Sequence, residues 1–256
     1  MHDNLLSINA KEETEKIIAF IKVTLEKQKI EKVVVGISGG IDSATSLYLL
    51  KKSIPLENIN VVYLPYFDNY LSSINEIIEQ IHLPSKQLTT ISIKPIVDSM
   101  VKTLSIPDKD IVRKGNVMAR VRMVILYDFA KKLNALVCGT ENKSEYHLGY
   151  FTRFGDEASD IEPLQYLYKT QVYELAKYLG VPQSIIDKQP SANLWENQTD
   201  EDELGFSYEE ADPVLYLYFD KKIPIEDIKK QGFGNAKKII DFAEKNSYKH
   251  SAPYTL

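Results

Sequence analysis

The apolar run Val33-Val34-Val35-Gly36-Ile37 stops abruptly at Ser38-Gly39-Gly40-Ile41-Asp42-Ser43, and this junction limits the possible folds more than any other stretch of the chain. A run that is β-branched apart from one glycine suits a strand buried on both faces of a parallel sheet. Beyond it, residues 44–52 place Leu47, Tyr48 and Leu50 at helical spacing, with Asp42 or Ser43 as the expected helix cap. Strand, glycine turn and helix N-terminus in succession make a phosphate cradle, because glycines admit a ligand close to the backbone and unpaired N–H groups point at it. The loop lacks the lysine of GxxxxGK[ST] and the spacing of GxGxxG. A carboxylate inside such a loop repels phosphate unless a cation stands between them, which makes Asp42 a candidate Mg²⁺ ligand.

The periodicity predicts an alternation of helices and strands. Helices are expected over 11–28, 43–52, 72–81, 96–103 and 115–133, and strands over 33–37, 59–64, 88–93 and 135–138, followed by short helices. Such alternation predicts an α/β fold, a Rossmann-like doubly wound parallel sheet of about five strands with helices on both faces and the ligand at the strands' carboxyl ends. With 256 residues and no composition break, one domain over 1–256 is expected.

Composition narrows the function. A net charge of −5 disfavours nucleic acid as the main partner, and no apolar stretch approaches the roughly 20 residues that span a bilayer. The expectation is therefore a cytoplasmic protein with no membrane partner. The histidines His2, His82, His147 and His250 show no metal-ligand spacing, and the single cysteine, Cys138, lies in a strand-like apolar run that fits inert packing.

Ser-Gly-Gly-Ile-Asp-Ser after a buried strand resembles the pyrophosphate-binding loop of the ATP pyrophosphatase superfamily, whose members adenylate a substrate oxygen. Within it, Cys138 as a packing residue leaves no nucleophile for taking nitrogen from glutamine, which points to free ammonia and to the lack of a glutaminase domain. The loop is equally compatible with a GMP-synthetase-like ligase or with a noncatalytic nucleotide-binding sensor.

Further segments choose among these. Lys114-Gly115-Asn116-Val117-Met118-Ala119-Arg120-Val121-Arg122-Met123 sets two arginines in an apolar helix, and residues two apart cannot share a face, so at most one enters a given pocket. Gly139-Thr140-Glu141-Asn142-Lys143-Ser144-Glu145 follows a strand. Gly149-Tyr150-Phe151-Thr152-Arg153-Phe154-Gly155-Asp156 is an aromatic loop with a cation, and Pro190-Ser191-Ala192-Asn193-Leu194 precedes Asp202-Glu203-Leu204-Gly205. In this order and from residue 13 onward, the segments resemble the ammonia-dependent NAD synthetase family.

That resemblance implies amidation of deamido-NAD to NAD with ammonia through an NAD-adenylate, with release of AMP and pyrophosphate. It implies ATP contacts from the loop residues Gly36, Ile37, Ser38, Gly39, Gly40, Ile41, Asp42 and Ser43, and from Thr140, Lys169 and Ser191. Mg²⁺ falls to Asp42 and Glu145, and deamido-NAD to Arg120, Arg153, Asp160 and Lys249. Asp42, Glu145, Lys169 and Asp156 are the expected catalytic residues, Asp156 as the acceptor of an ammonium proton. The chain carries Arg153 where members commonly have lysine, Tyr248 where many have histidine, and Tyr63 where some have arginine. A homodimer through the 115–133 helix is implied as well. Asp42→Ala is expected to abolish adenylation with the fold intact.

Overall fold

A computed structural model describes residues 5–67, 71–195, 197–251, 253 and 254, so His2 lies outside it. The chain begins with helix α1 (Ala10–Gln28), strand β1 (Lys32–Ile37), helix α2 (Ile41–Ser53), strand β2 (Ile59–Tyr63), helix α3 (Leu71–Ile81), strand β3 (Leu88–Thr90) and helix α4 (Lys94–Thr103). The long α5 (Ile111–Leu133), strand β4 (Ala135–Cys138) and α6 (Lys143–Leu148) follow. Short helices complete it: α7 (Lys169–Leu179), α8 (Gln183–Ile186), α9 (Asp200–Leu204), α10 (Tyr208–Leu215), α11 (Ile225–Lys230) and α12 (Ala236–Asn246).

The four strands pair in parallel in the order β3-β2-β1-β4. Alternation along β1 feeds two cores. Val33 and Val35 pack into one with residues of α1, α2, α3 and α7, and Val34 into the other with residues of α4 and α5. All three valines are fully buried, each contributing about 1.5–3 kcal/mol of burial energy. Because β2 lies on one side of β1 and β4 on the other, the carboxyl ends of β1 and β4 diverge into the crevice where such sheets bind ligands. A third apolar cluster joins α10 and α12 to Leu148 of α6 and to Tyr168, forming a helical cap beside that crevice.

The sheet is one strand narrower than the expected five. The fifth place is held by a single parallel bridge between Cys138 and Ile161, because Pro163 offers no N–H to extend a ladder and Asp160 Oδ2 accepts the Val137 N–H at 2.8 Å. The third strand likewise ends at Thr90 and not at Ile93. Ile91 and Ile93 still donate to the carbonyls of Tyr63 and Pro65, but Pro65 has no N–H to return. The long helix starts four residues earlier than residue 115, since the Asp110 side chain caps it by accepting the Arg113 N–H.

Candidate active site

The glycine loop departs from the sequence expectation in an informative way. Neither Asp42 nor Ser43 caps α2. The N-cap is Gly40, with no side-chain hydrogen bond, so the first turn keeps its N–H groups directed at the crevice. Gly39 has φ of 78°, a conformation that favours glycine. Ser43 instead shapes the loop: its Oγ accepts the Ser38 N–H at 3.2 Å and donates to the Gly40 carbonyl at 3.1 Å.

Two chambers open on this loop. One, of about 440 Å³, is walled by Gly36, Ile37, Ser38, Ser43, Thr140 and apolar side chains that include Tyr63, Tyr66, Phe67, Leu126 and Trp195. The second, of about 480 Å³, is polar and takes in Ser38, Gly39, Gly40, Ile41, Asp42, Glu145 and Lys169. Ser191 and Asp156 line both. An elongated ligand with an apolar ring at one end and anionic groups at the other matches this pair.

Three residues far apart in sequence meet in the polar chamber. The Lys169 ammonium lies 2.6 Å from Asp42 Oδ2 and 3.2 Å from Glu145 Oε1. Lys169 is only 2 % exposed, and although burial opposes its charge, Asp42 and then Glu145 outweigh that and hold its pKa well above the ordinary lysine value. Burial pushes Glu145 the other way, above the ordinary carboxylate range, with Lys169 pulling it down. Asn142, fully buried, orients both acids: its Nδ2 donates to Asp42 Oδ1 at 3.0 Å, and its N–H donates to Glu145 Oε2 at 3.3 Å. Asn142 and Glu145 also form the capping box that starts α6.

A second support lies beneath. Ser144 Oγ accepts the Lys169 N–H at 2.8 Å and donates to Asp212 Oδ1, whose other oxygen accepts the Thr170 N–H at 2.8 Å. The helical cap thus fixes the start of α7 and with it Lys169. Asp42 therefore carries structural as well as chemical weight, and Asp42→Ala leaves a buried ammonium short of a partner, a change that typically costs about 3–5 kcal/mol. Glu145 remains beside the ammonium, so Asp42→Ala is expected to lower stability while the fold persists.

The metal expectation passes a chemical test. Among the described residues no group of three or more His, Cys, Asp or Glu side chains forms a metal cage. Two carboxylates beside an open helix N-terminus nonetheless suit Mg²⁺, which commonly takes one or two protein carboxylates and completes its shell with phosphate and water.

The residues expected at the pyridine substrate form a separate group outside both chambers. Arg120 donates from Nε and Nη2 to the Arg153 carbonyl at 3.3 and 3.2 Å, and Arg153 Nη1 reaches the Tyr248 carbonyl at 3.5 Å. Lys249 Nζ binds the carbonyls of Gly149 and Phe151 at 2.6 and 2.8 Å. Asp160 stands apart from them at the end of β4, on the Val137 N–H. Asp156, between the two groups, accepts the Thr152 N–H at 2.9 Å; its enclosed position raises its pKa, although the carboxylate itself faces open space in the cleft.

The chain matches the NAD synthase family model over residues 13–253. It is 39% identical over 255 residues to the NH(3)-dependent NAD(+) synthetase of Fusobacterium nucleatum, covering 98% of this chain and 97% of that one. This chain belongs to the NAD synthase family. Among solved structures, the NMN synthetase from Francisella tularensis superposes with a TM-score of 0.81 at 35% identity, covering 98% of this chain and 99% of that one. The NH3-dependent NAD synthetase from Campylobacter jejuni gives 0.77 at 30% identity, over 97% and 100% of the two chains.

Within this NAD synthase fold, several residues of the site escaped sequence reasoning. Arg122, not Arg120, is the arginine of α5 that lines the apolar chamber, where its Nε donates to the Leu64 carbonyl at 3.1 Å. Lys188 lines the polar chamber and donates to the Gly39 carbonyl at 3.2 Å and to Ser73 Oγ at 2.7 Å, tying the glycine loop to α3. Asn142 was findable, since Asn-x-x-Glu ahead of a short helix is a capping signal. Cys138 backs the apolar chamber; burial pushes its thiol well above the ordinary range, which fits a packing role.

Proposed function

We propose that this chain is an ammonia-dependent NAD synthetase that amidates deamido-NAD to NAD at the expense of ATP. The convergence of Asp42, Glu145 and Lys169 beneath the uncapped N-terminus of α2 carries this reading, because a polyphosphate needs an anion-binding backbone beside groups that manage its charge. In the first step a carboxylate oxygen of deamido-NAD attacks the α-phosphorus of ATP, and the bond to pyrophosphate breaks. In the second, ammonia attacks the acyl carbon of the adenylate and AMP leaves with the shared oxygen.

Both steps ask the protein for positioning and charge neutralisation, not for a covalent partner. The α2 N–H groups and Lys169 face the departing pyrophosphate, and the apolar chamber accepts the adenosine. Asp42 and Glu145 would hold Mg²⁺, which supplies charge neutralisation to the phosphates when bound. Asp156, at the junction of the chambers with a raised pKa, is placed to take a proton from ammonium. Arg120, Arg153, Asp160 and Lys249 are assigned to deamido-NAD, Asp160 from its separate place on the Val137 N–H. Residues 13–253 are proposed to act as one NAD synthase domain, and the chain is assigned to the cytoplasm as a metabolic enzyme of this family. No helix among the described residues is long and apolar enough to cross a membrane. It is proposed to form a homodimer through α5, whose Val112 and Val124 are exposed.

The test is direct. Purified protein with ATP, Mg²⁺, deamido-NAD and ammonium is expected to yield NAD and AMP in equal amounts, and ADP without NAD would refute the assignment. The likeness to the Francisella enzyme named NMN synthetase supports a second substrate reading, amidation of nicotinic acid mononucleotide. Offering both acids in competition decides between them by the ratio of NMN to NAD.

A further inference from the structure

Every carboxylate oxygen of the Asp42 and Glu145 pair already has a partner. Asp42 Oδ1 and Glu145 Oε2 are held by Asn142, at 3.0 and 3.3 Å. Asp42 Oδ2 and Glu145 Oε1 are held by the Lys169 ammonium, at 2.6 and 3.2 Å. A divalent ion at its usual distance of about 2.1 Å from Oδ2 and Oε1, on the side that Nζ occupies, would lie against it, positive on positive. The ammonium thus competes with such an ion for the same two oxygens.

The ammonium is not what anchors the start of α7. Lys169 is anchored through its backbone, which donates to Ser144 Oγ at 2.8 Å at the start of α7, while four methylenes carry the charge. The polar chamber into which it faces also presents the open N-terminus of α2, so a polyphosphate seated there offers Nζ new acceptors. Asp200 lines the same chamber, 3 % exposed, with a buried Oδ1 that has no partner, and it keeps negative potential on that side when the ammonium turns.

We propose that Lys169 is a tethered placeholder cation, so that the Asp42 and Glu145 pair admits a divalent ion only together with a polyphosphate that draws the ammonium away. This rests on reading those two acids as the metal pair. The placeholder also keeps the two acids assembled, since buried carboxylates left to each other repel.

Mn²⁺ binding to the full chain, followed by the loss of the free-ion electron paramagnetic resonance signal without nucleotide, tests it. Lys169→Met is expected to bind one Mn²⁺ at least ten-fold more tightly than the unmodified chain, and Asp42→Asn added to Lys169→Met is expected to remove that site. Equal affinity in the unmodified chain and Lys169→Met, sensitive to Asp42→Asn in both, overturns the placeholder role while sparing the metal pair. Lack of an Asp42-dependent site in Lys169→Met overturns both. If circular dichroism shows Lys169→Met to be unfolded, the unmodified chain decides: Asp42-dependent Mn²⁺ binding without nucleotide refutes the proposal, Asp42-dependent binding that appears only with a nonhydrolysable ATP analogue supports it, and no Asp42-dependent binding in either case overturns both.

Discussion

The proposed polyphosphate end and the proposed pyridine end of this site are built by different means. At the first, Asp42, Asn142, Glu145 and Lys169 are tied to one another by side-chain hydrogen bonds inside the protein, and their elements are locked by Ser144 and Asp212. At the second, Arg120, Arg153 and Lys249 hold backbone carbonyls of two loosely tied segments: the 149–156 loop, buried in part with Phe154 and Asp156 exposed, and the tail at the exposed Tyr248. Preorganisation suits the end where charge develops in the reaction, because donors already in place need not reorganise. Loosely tied segments suit an end that must open for a bulky dinucleotide and then cover it. Damage to the first end is expected to remove chemistry, and damage to the second to weaken one substrate.

The largest effect should come from Asp42→Asn. It keeps the shape and a hydrogen-bonding group but removes a charge, and the rate of AMP formation is expected to fall by about 10³-fold, the scale of lost electrostatic stabilisation at a reacting group. Activity near that of the unmodified chain would erase the contrast between the two ends. Asn142→Ala, which never touches substrate in this account, is expected to cost about 10–100-fold in kcat, as removal of an orienting group does. Its stability should fall by about 1–3 kcal/mol, measured by urea unfolding, because Asp42 Oδ1 loses its Nδ2 donor and the Glu145 N–H loses the Oδ1 that caps α6.

Lys249→Ala probes the other end. The KM for deamido-NAD is expected to rise about ten-fold, equivalent to about 1.4 kcal/mol, with the KM for ATP unchanged. An equal rise in both constants would mean that the tail also orders the polyphosphate end.

The smallest effect concerns stability away from either end. Glu141 and Glu162 lie close together behind the Gly139 wall, where burial pushes them up to about 9 and about 8, respectively. The folded state therefore keeps protons that the unfolded chain releases above its ordinary carboxylate pKa, so stability falls as pH rises from about 4.5 toward 9. Glu141→Gln removes that ionisation. It should match the unmodified chain at pH 5 and exceed it by about 1–2 kcal/mol at pH 8.5 in thermal unfolding, an advantage that must grow with pH if the sign is right.

The legible parts of the sequence were those governed by local periodicity. Val33 to Ile37 and the helix after Ser43 announce strand and helix through their own spacing, and the glycine loop between them follows. Strand ends were harder, since β3 stops where the neighbouring strand reaches Pro65, a fact of pairing and not of its own residues. The site was readable where family segments name it, but the meeting of Asp42, Glu145 and Lys169 depends on the stacking of three helices. Which of the two arginines lines the apolar chamber depends on the rotation of α5 about its axis, which is set by tertiary packing and which residue spacing leaves undetermined; it is Arg122.

The central claim is that the substrate carboxylate is activated by transfer of an adenylyl group at the glycine loop. Deamido-NAD labelled with ¹⁸O in its nicotinate carboxylate, turned over with ATP and ammonium, tests this most directly by mass spectrometry of the nucleotide product. AMP carrying a single ¹⁸O is the expected result, because the oxygen that attacks phosphorus leaves with AMP. Unlabelled AMP, or ADP with the label in inorganic phosphate, would contradict the account.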